Sequence, residues 1–460
     1  MKTNIINTKS ILPNSFRFDP SFHLSEAIIL GKDLDNVPYV KISIKDTNSK
    51  VFLGNIFSRI FVKDKEHGIP YLAASDTVLA DINTGRFLSK KQSKELAYLM
   101  LKKDWIVITC SGTIGNVTYT NSTFENHIAT HDLIRIVPND EKILKGYLYA
   151  FLSSKYGYNQ LTQSRFGGVV KHINADHVNG ITLPLFPEPF QKEVDDLIQE
   201  SARLREEATE VLDKAKDILS KYINVSFNKE HFKTSVVSSK DIWNSLQHRL
   251  DPPAIMNDGV YSMQDITSKI NYTTIANING KVYRPGIFKR NYVSNGIPYI
   301  KGSEIFLTNP FRRCEQLSRT LTPFIDEMSM KEGQILITCA GSVGDIKLIT
   351  KEYEDKKSIG SQDIIRLESN DELYTKEYLF VYLQQPFVYD YIQSMKYGSV
   401  IERIEPFHVE SIPVIEPTKE LSDEITCIVR HYMDCTYQAF KCEEKAISMV
   451  EEEIEKWNKN

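Results

Sequence analysis

Four sequence blocks occur twice, in the same order, along this chain of 460 residues. Arg17-Phe18-Asp19-Pro20 returns as Arg249-Leu250-Asp251-Pro252, and Gly68-Ile69-Pro70-Tyr71 as Gly296-Ile297-Pro298-Tyr299. The stretch from Ile108 to Asn116, which contains Gly112-Thr113-Ile114-Gly115, returns from Ile337 to Asp345 with Gly341-Ser342-Val343-Gly344. Asp132-Leu133-Ile134-Arg135 returns as Asp363-Ile364-Ile365-Arg366. The offsets stay between 228 and 232 residues, so the chain is two copies of one unit. A unit of about 230 residues is long enough for its own hydrophobic core, far beyond the length of a solenoid repeat. Each copy is a domain.

Each copy ends on a long helical pattern. After Pro187-Glu188-Pro189 a charged stretch runs to Tyr222 without Gly or Pro. Its Val194, Leu197, Ser201, Leu204, Ala208, Val211, Ala215, Ile218 and Tyr222 alternate spacings of three and four, a heptad seam. Ile425, Ile428, Tyr432, Cys435, Ala439, Cys442, Ala446 and Met449 repeat that rhythm. The small seam residues allow two backbones to approach closely. The spacing predicts that the two helices pair, with Tyr432 needing a small residue opposite it. The predicted boundaries are a domain over 1–187, a helix over 188–225, a domain over 226–416 and a helix over 417–460.

The body of each copy reads as mixed α/β. Strand-like runs cover Trp105 to Cys110, Val117 to Tyr119, Leu133 to Val137 and Gln334 to Cys339, separated by Gly, Asn and Asp turns. Helical patches lie near Ser89 to Lys102, Leu144 to Leu161 and Thr375 to Met395. The short, hairpin-like strands predict a curved sheet with flanking helices rather than a doubly wound fold.

Catalytic signatures do not recur between the copies. A Walker loop needs Lys-Ser/Thr after its last glycine and then a helix. Here Asn116 and Asp345 follow, then a strand, so the glycines belong to a tight hairpin that needs positive φ. Asp251-Pro252-Pro253 resembles part of an amino-methyltransferase motif, but the aromatic residue is missing and the first copy has Asp19-Pro20-Ser21. His127 and His131 have helical metal-ligand spacing, yet the second copy has no histidine there. His177 and His408 do correspond, as lone turn histidines of structural use. The cysteines 110, 314, 339, 427, 435 and 442 form no C-x-x-C pair and read as reduced thiols, Cys435 and Cys442 on the seam. No run of eighteen apolar residues exists and Met1 to Asn7 lacks a secretory h-region, so the expectation is a cytoplasmic protein without a membrane span.

What recurs is basic and polar. Aligning Ser164 to Ile173 with Met395 to Ile404 pairs Arg165 with Lys396 and His172 with Arg403, each pair bracketing an aromatic-glycine step. Basic side chains beside a closely approachable backbone suit phosphate contact, leaving hydroxyls and amides to read bases. The net charge of −4 argues against a nucleic-acid binder until it is divided. Residues 188–222 and 417–460 together carry −8, which leaves +4 for the rest. The acidity lies on the helices, and the domains are mildly basic.

The ordered set Gly296 to Glu304, Gly333 to Gly344, Ser361 to Ile365 and Tyr397 to Ile404, followed by proline and a long helix, resembles the specificity (S) subunit of type I restriction-modification systems. The resemblance covers nearly the whole chain twice, with weaker motifs in the first copy. It implies two target recognition domains, each reading one half of a bipartite double-stranded DNA site, and two helices pairing antiparallel as a spacer. It further implies docking of two methyltransferase (modification) subunits and of restriction subunits, with S-adenosylmethionine, Mg and ATP on those partners and no cofactor on this chain. DNA contacts are expected on the faces carrying Ser75, Thr113, Arg165 and His172, and Lys301, Ser303, Lys396 and Arg403. The chain itself is then a non-catalytic subunit. Two other readings are a single-chain nuclease-methyltransferase, for which no cofactor loop or carboxylate cluster is present, and a coiled-coil adaptor whose repeated domains bind protein.

Overall fold

A computed structural model describes residues 26–63, 65–163, 172–224, 238–244 and 248–458. The first blocks of the repeat, Arg17 to Pro20, and most of 164–173 lie outside the described residues. The chain divides into two compact units, one of Met1–Glu206 with Gln438–Asn460 and one of Glu207–Tyr437.

In the first unit a four-stranded antiparallel sheet runs in the order Lys50–Phe52, Leu133–Val137, Ile106–Thr109, Val117–Tyr119. A second sheet runs Phe61–Val62, Phe87–Ser89, Gly68–Leu72, Ile128–Ala129, and only its last pairing is parallel. Lys41–Ser43 pairs with Thr182–Pro184, tying the start of the copy to the residues just before its long helix. The second unit repeats the layout. Gly280–Tyr283, Ile364–Ser369, Ile335–Thr338 and Ile346–Leu348 form the main sheet in the matching order. Glu315–Leu317, Tyr292–Ile300 and Ile359–Gly360 form the second sheet, again ending on a parallel pair. Tyr272–Thr274 pairs with Pro413–Ile415. The Gly-Ile-Pro-Tyr block lies in an interior strand of the second sheet in both copies, and the Asp-x-Ile-Arg block enters the main sheet.

All three helical expectations change. The patch at 144–161 is two helices, Lys145–Ser153 and Lys155–Gln163, broken where Ser154 is extended. Its counterpart is likewise two, Lys376–Leu383 and Pro386–Ser394, because Pro386 cannot continue a helix but suits the first turn of the next. The patch at 89–102 yields only Lys90–Ser93 and a 3₁₀ turn at Ala97–Leu99. There Leu96, Leu99 and Leu101 are buried as a loop folded against the second sheet, so burial outweighs helix propensity.

The long helices are Glu188–Ile223 and Lys419–Lys456. They run antiparallel inside each unit. In the first, Lys445 Nζ lies 3.9 Å from Glu193 and Ser201 Oγ donates to the Ala439 carbonyl at 2.8 Å. In the second, His431 meets Glu207 at 2.7 Å and Tyr222 OH donates to the Glu416 carbonyl at 3.3 Å. Ser201, Ala208, Ala215, Ala439 and Ala446 are all buried, which is what close backbones require. Val194, Leu204, Ile425 and Tyr432 are buried too, while Leu197, Val211, Ile218 and Ile428 are half-buried. The neighbouring positions Ile198, Leu219 and Val429 are buried as well, so each helix hides a stripe wider than its seam. Part of that stripe faces the domain. Val194, Ile198, Ala446, Val450 and Ile454 share one core with Tyr147, Leu148 and Phe151. Tyr432 finds room in the same way, its ring stacking on Phe380 of the second domain at 6.0 Å.

Candidate nucleic-acid interface

In each copy a hairpin of the main sheet carries the glycine loop. Strands Ile106–Thr109 and Val117–Tyr119 flank the first loop, and Ile335–Thr338 and Ile346–Leu348 the second. Gly112 and Gly115 have φ of 67° and 84°, and Gly341 and Gly344 of 77° and 91°. A side chain would be strained at all four positions, which is why glycine recurs there. The loop closes on its own strand, because Gly115 N donates to the Thr109 carbonyl at 3.0 Å and Gly344 N to Thr338 at 2.9 Å. Thr113 is exposed at the tip of the first loop, and its carbonyl accepts from the Thr109 hydroxyl.

The end of the basic segment, at His172-Ile173 and Arg403-Ile404, lies against that loop in both copies. His172 forms a bridge with Ser111, and Arg403 forms the equivalent bridge with Ala340. Ile173 N donates to the Cys110 carbonyl and Ile404 N to the Cys339 carbonyl, at 3.2 and 3.1 Å. Two motifs about sixty residues apart in sequence thus share one edge. In the second copy Tyr397 and Arg403 exchange two backbone hydrogen bonds, of 3.0 and 2.8 Å, and make residues 397–403 a tight protruding turn. Val400 and Ile401 stand at its tip, 93% and 51% exposed.

Lys396 and Arg403 stand at the base of this turn, with the Lys396 ammonium paired to Glu402. Behind it, Arg249 clasps Asp251 and donates to the carbonyls of Ser394 and Lys396. The Asp251-Pro252-Pro253 element therefore braces the turn, bordering an open cavity of about 310 Å³ with Lys396, Tyr397 and Glu402. Arg165, the first-copy counterpart of Lys396, lies outside the described residues.

Ser75 is exposed on the 3₁₀ turn Ala74–Val78, which rests on the same hairpin through a 3.0 Å hydrogen bond from Thr118 Oγ1 to the Thr77 carbonyl. Lys301 and Ser303 sit on the corresponding turn. The Glu315 carboxylate, 2.7 Å away, holds the Lys301 ammonium above its ordinary range, and Glu304 adds to this. Ser303 is exposed.

Other polar groups here serve the fold. Burial pushes the Cys110 and Cys339 thiols up to about 11, which removes them as nucleophiles at neutral pH. His177 Nδ1 accepts from Asn174 N at 3.2 Å and His408 Nδ1 from Glu405 N at 2.9 Å, so the matched histidines cap equivalent short helices. His127 and His131 are engaged separately, with the Glu125 carbonyl and with Asp132. Among the described residues Glu207, His431 and Cys435 come within ligand distance of one another across the helix pair. The buried Cys435 Sγ lies 3.7 Å from His431 Nε2.

One repeated element escaped the sequence reading. Arg59 lies 5.8 Å over the Tyr71 ring, and Arg290 lies 5.7 Å over Tyr299, the equivalent tyrosine. The signal was available, since both arginines follow an Ile-Phe-x pattern, but it contains no glycine or proline to draw the eye.

Among solved structures the chain is similar to the S subunit of a type I restriction-modification system from M. genitalium, at 13% identity over 92% of this chain and 96% of that one, with a TM-score of 0.37. It is also similar to the HsdS subunit from Thermoanaerobacter tengcongensis, at 13% identity over 90% and 96%, with a TM-score of 0.27. No curated protein matches it. Among the described residues no helix is long and apolar enough to cross a membrane. The sequence profile of the type I restriction modification DNA specificity domain matches twice, at residues 36–202 and 269–438, which favours DNA over protein as what the repeated domains bind. Those two matches cover most of the chain and all of the duplicated hairpin edge: it belongs to the type I restriction-modification DNA specificity family and carries that domain in tandem.

Proposed function

We propose that each copy reads one half of an asymmetric bipartite sequence in double-stranded DNA. The observation that supports this is the duplicated edge, where a glycine hairpin is bridged by His172 in one copy and Arg403 in the other, with the same backbone contacts and different side chains. Thr113 and His172 face one half-site, and Ser342 and Arg403 the other. Different surfaces on one backbone plan recognise different bases. Ser75, Lys301, Ser303 and Lys396 belong to the same two faces, and Arg165 enters this reading only as the sequence counterpart of Lys396.

The paired helices act as the spacer that fixes the distance between half-sites. They also dock two modification subunits of an adenine-DNA methyltransferase, with restriction subunits completing a nuclease. S-adenosylmethionine, Mg and ATP would belong to those partners. The acidity of the helical segments suits a surface turned to protein rather than phosphate. With only +4 on the remainder, phosphate neutralisation draws on the partners too.

The test is selection from a random duplex library by the full chain assembled with its modification subunits. The expected product is two conserved blocks separated by a fixed gap. Lys396→Ala with Arg403→Ala should relax one block and leave the other intact. Equal weakening of both blocks, or of neither, would sink the reading.

A further inference from the structure

Ile56-Phe57-Ser58-Arg59 recurs 231 positions later as Ile287-Phe288-Lys289-Arg290. The two segments are built alike. Phe57 anchors against a core with Tyr71, Leu99 and Ile128, and Phe288 against one with Tyr299, Leu317 and Ile359. The isoleucine before each anchor is left in solvent, Ile56 at 86% and Ile287 at 74% exposed. An isoleucine so exposed adds almost nothing to the core. Burial accounts for the phenylalanine and gives no reason for the isoleucine to appear twice.

The arginine is positioned in both copies. Besides its tyrosine ring, Arg59 donates to Thr130 Oγ1 at 3.1 Å. Arg290 donates from Nε to Tyr299 OH at 2.8 Å and lies 3.9 Å from Asp363. These contacts place the arm beside the glycine hairpin. Asp132 and Asp363, at the end of the segments that Arg59 and Arg290 touch, accept through their carbonyls from Cys110 N and Cys339 N, the first residue of each loop. A guanidinium resting on an aromatic ring loses little further freedom when it binds.

A planar cation with an exposed branched apolar side chain three residues away fits the edge of a base pair. Arginine pairs with the acceptors of guanine, and an aliphatic side chain contacts the methyl group of thymine. A phosphate contact would use the charge and leave the isoleucine without a role. We infer that Ile56 with Arg59, and Ile287 with Arg290, are base-reading arms, one for each half-site. The inference rests on the reading of the two domains as DNA-recognition surfaces. The residue between anchor and arginine differs, Ser58 against Lys289, which gives the two arms unlike surroundings.

The experiment is the same library selection with the full chain and its modification subunits, run on single variants whose unfolding transition matches the parent. Arg290→Ala should erase the preference at one or two positions in one block and weaken the selected site by about 5- to 100-fold. Arg290→Lys keeps the charge but not the fork, and should lose the same preference while its affinity for unrelated DNA stays unchanged. Ile287→Ser should relax an adjacent position, and Arg59→Ala and Ile56→Ser should do the same in the other block. The inference is overturned if the arginine variants bind every sequence more weakly by one factor, with the salt slope reduced by about one, since that marks a phosphate contact. It is also overturned if the selected site is unchanged, or if the isoleucine variants fail to assemble with the modification subunits. If the parent chain itself selects no two-block site, the functional reading fails and the arms fall with it.

Discussion

Arg135 and Arg366 hold the same position in their two copies, each fully buried in the middle of a sheet and each bonded to backbone carbonyls. Arg135 donates to the carbonyls of Leu133, Leu99, Ala129 and Thr130, and Arg366 to those of Ile364, Met328 and Gly360. Each thereby clips the parallel strand of the second sheet, at Ile128–Ala129 or Ile359–Gly360, to the main sheet. Burial lowers both guanidinium groups to about 10, so they stay charged at neutral pH. Replacing either by methionine leaves carbonyls unpaired and should cost about 2–4 kcal/mol. Denaturant unfolding checks this, and a loss below 0.5 kcal/mol would contradict the clip.

The hairpin glycines should resist substitution. Gly115→Ala and Gly344→Ala force a side chain into positive φ, with Tyr158 or Ile392 and Gln393 about 3 Å from the new Cβ. Each should lower stability by about 1–3 kcal/mol. DNA selection should degrade in the block read by the altered copy alone.

Ala446 lies fully buried where the distal helix meets the first domain's core. Ala446→Leu should destabilise by about 1–3 kcal/mol through overpacking. Ala446→Ser, nearly equal in volume, separates steric from polar effects. A thermal melt in which the leucine variant matches the parent would refute close helix packing there.

Asp104 bonds Lys145 at 2.8 Å and Tyr119 at 2.7 Å. Burial pushes its carboxyl up, but these two partners outweigh it and hold the group below its ordinary value of 3.8. A carboxyl lowered on folding contributes stability above the unfolded value and loses it as pH falls through the folded one. Asp104→Asn keeps a residue that tolerates the φ of 67° and should cost about 0.5–1 kcal/mol at pH 7. The gap between variant and parent should close below about pH 4. A gap that persists at pH 2 would assign the effect to packing.

Thiol labelling offers a further check. Cys427 is exposed, whereas Cys110 and Cys339 are buried with raised thiols. At pH 8 an alkylating reagent should modify Cys427 within minutes and spare the other two until the chain unfolds. Mass spectrometry of digests would show it.

Much of this architecture is legible in the residues. Positive-φ glycines at 112, 115, 341 and 344 marked a hairpin rather than a phosphate loop, because a strand follows them. Pairing His172 with Arg403 marks two equivalent positions but not what lies beside them. That His172 borders Ser111, and Arg403 borders Ala340, depends on strand order. The Ile-Phe-x-Arg element is not legible as a site from the sequence, because the tyrosine beneath each arginine lies some ten residues away and only the fold brings the two together.

By itself the sequence determined that the protein is one unit built twice, with a long amphipathic helix after each copy and its acidity on those helices. Such facts follow from periodicity and order along the chain. Tertiary structure alone decided which surfaces meet. Heptads specify a stripe on a helix but not what covers it, and residues 438–456 of the distal helix cover the first domain's core, in the unit that begins the chain. The same limit holds for Lys396. Its place in the repeat is written in the sequence, whereas its pairing with Glu402 and its backing by Arg249 arise only when the turn closes.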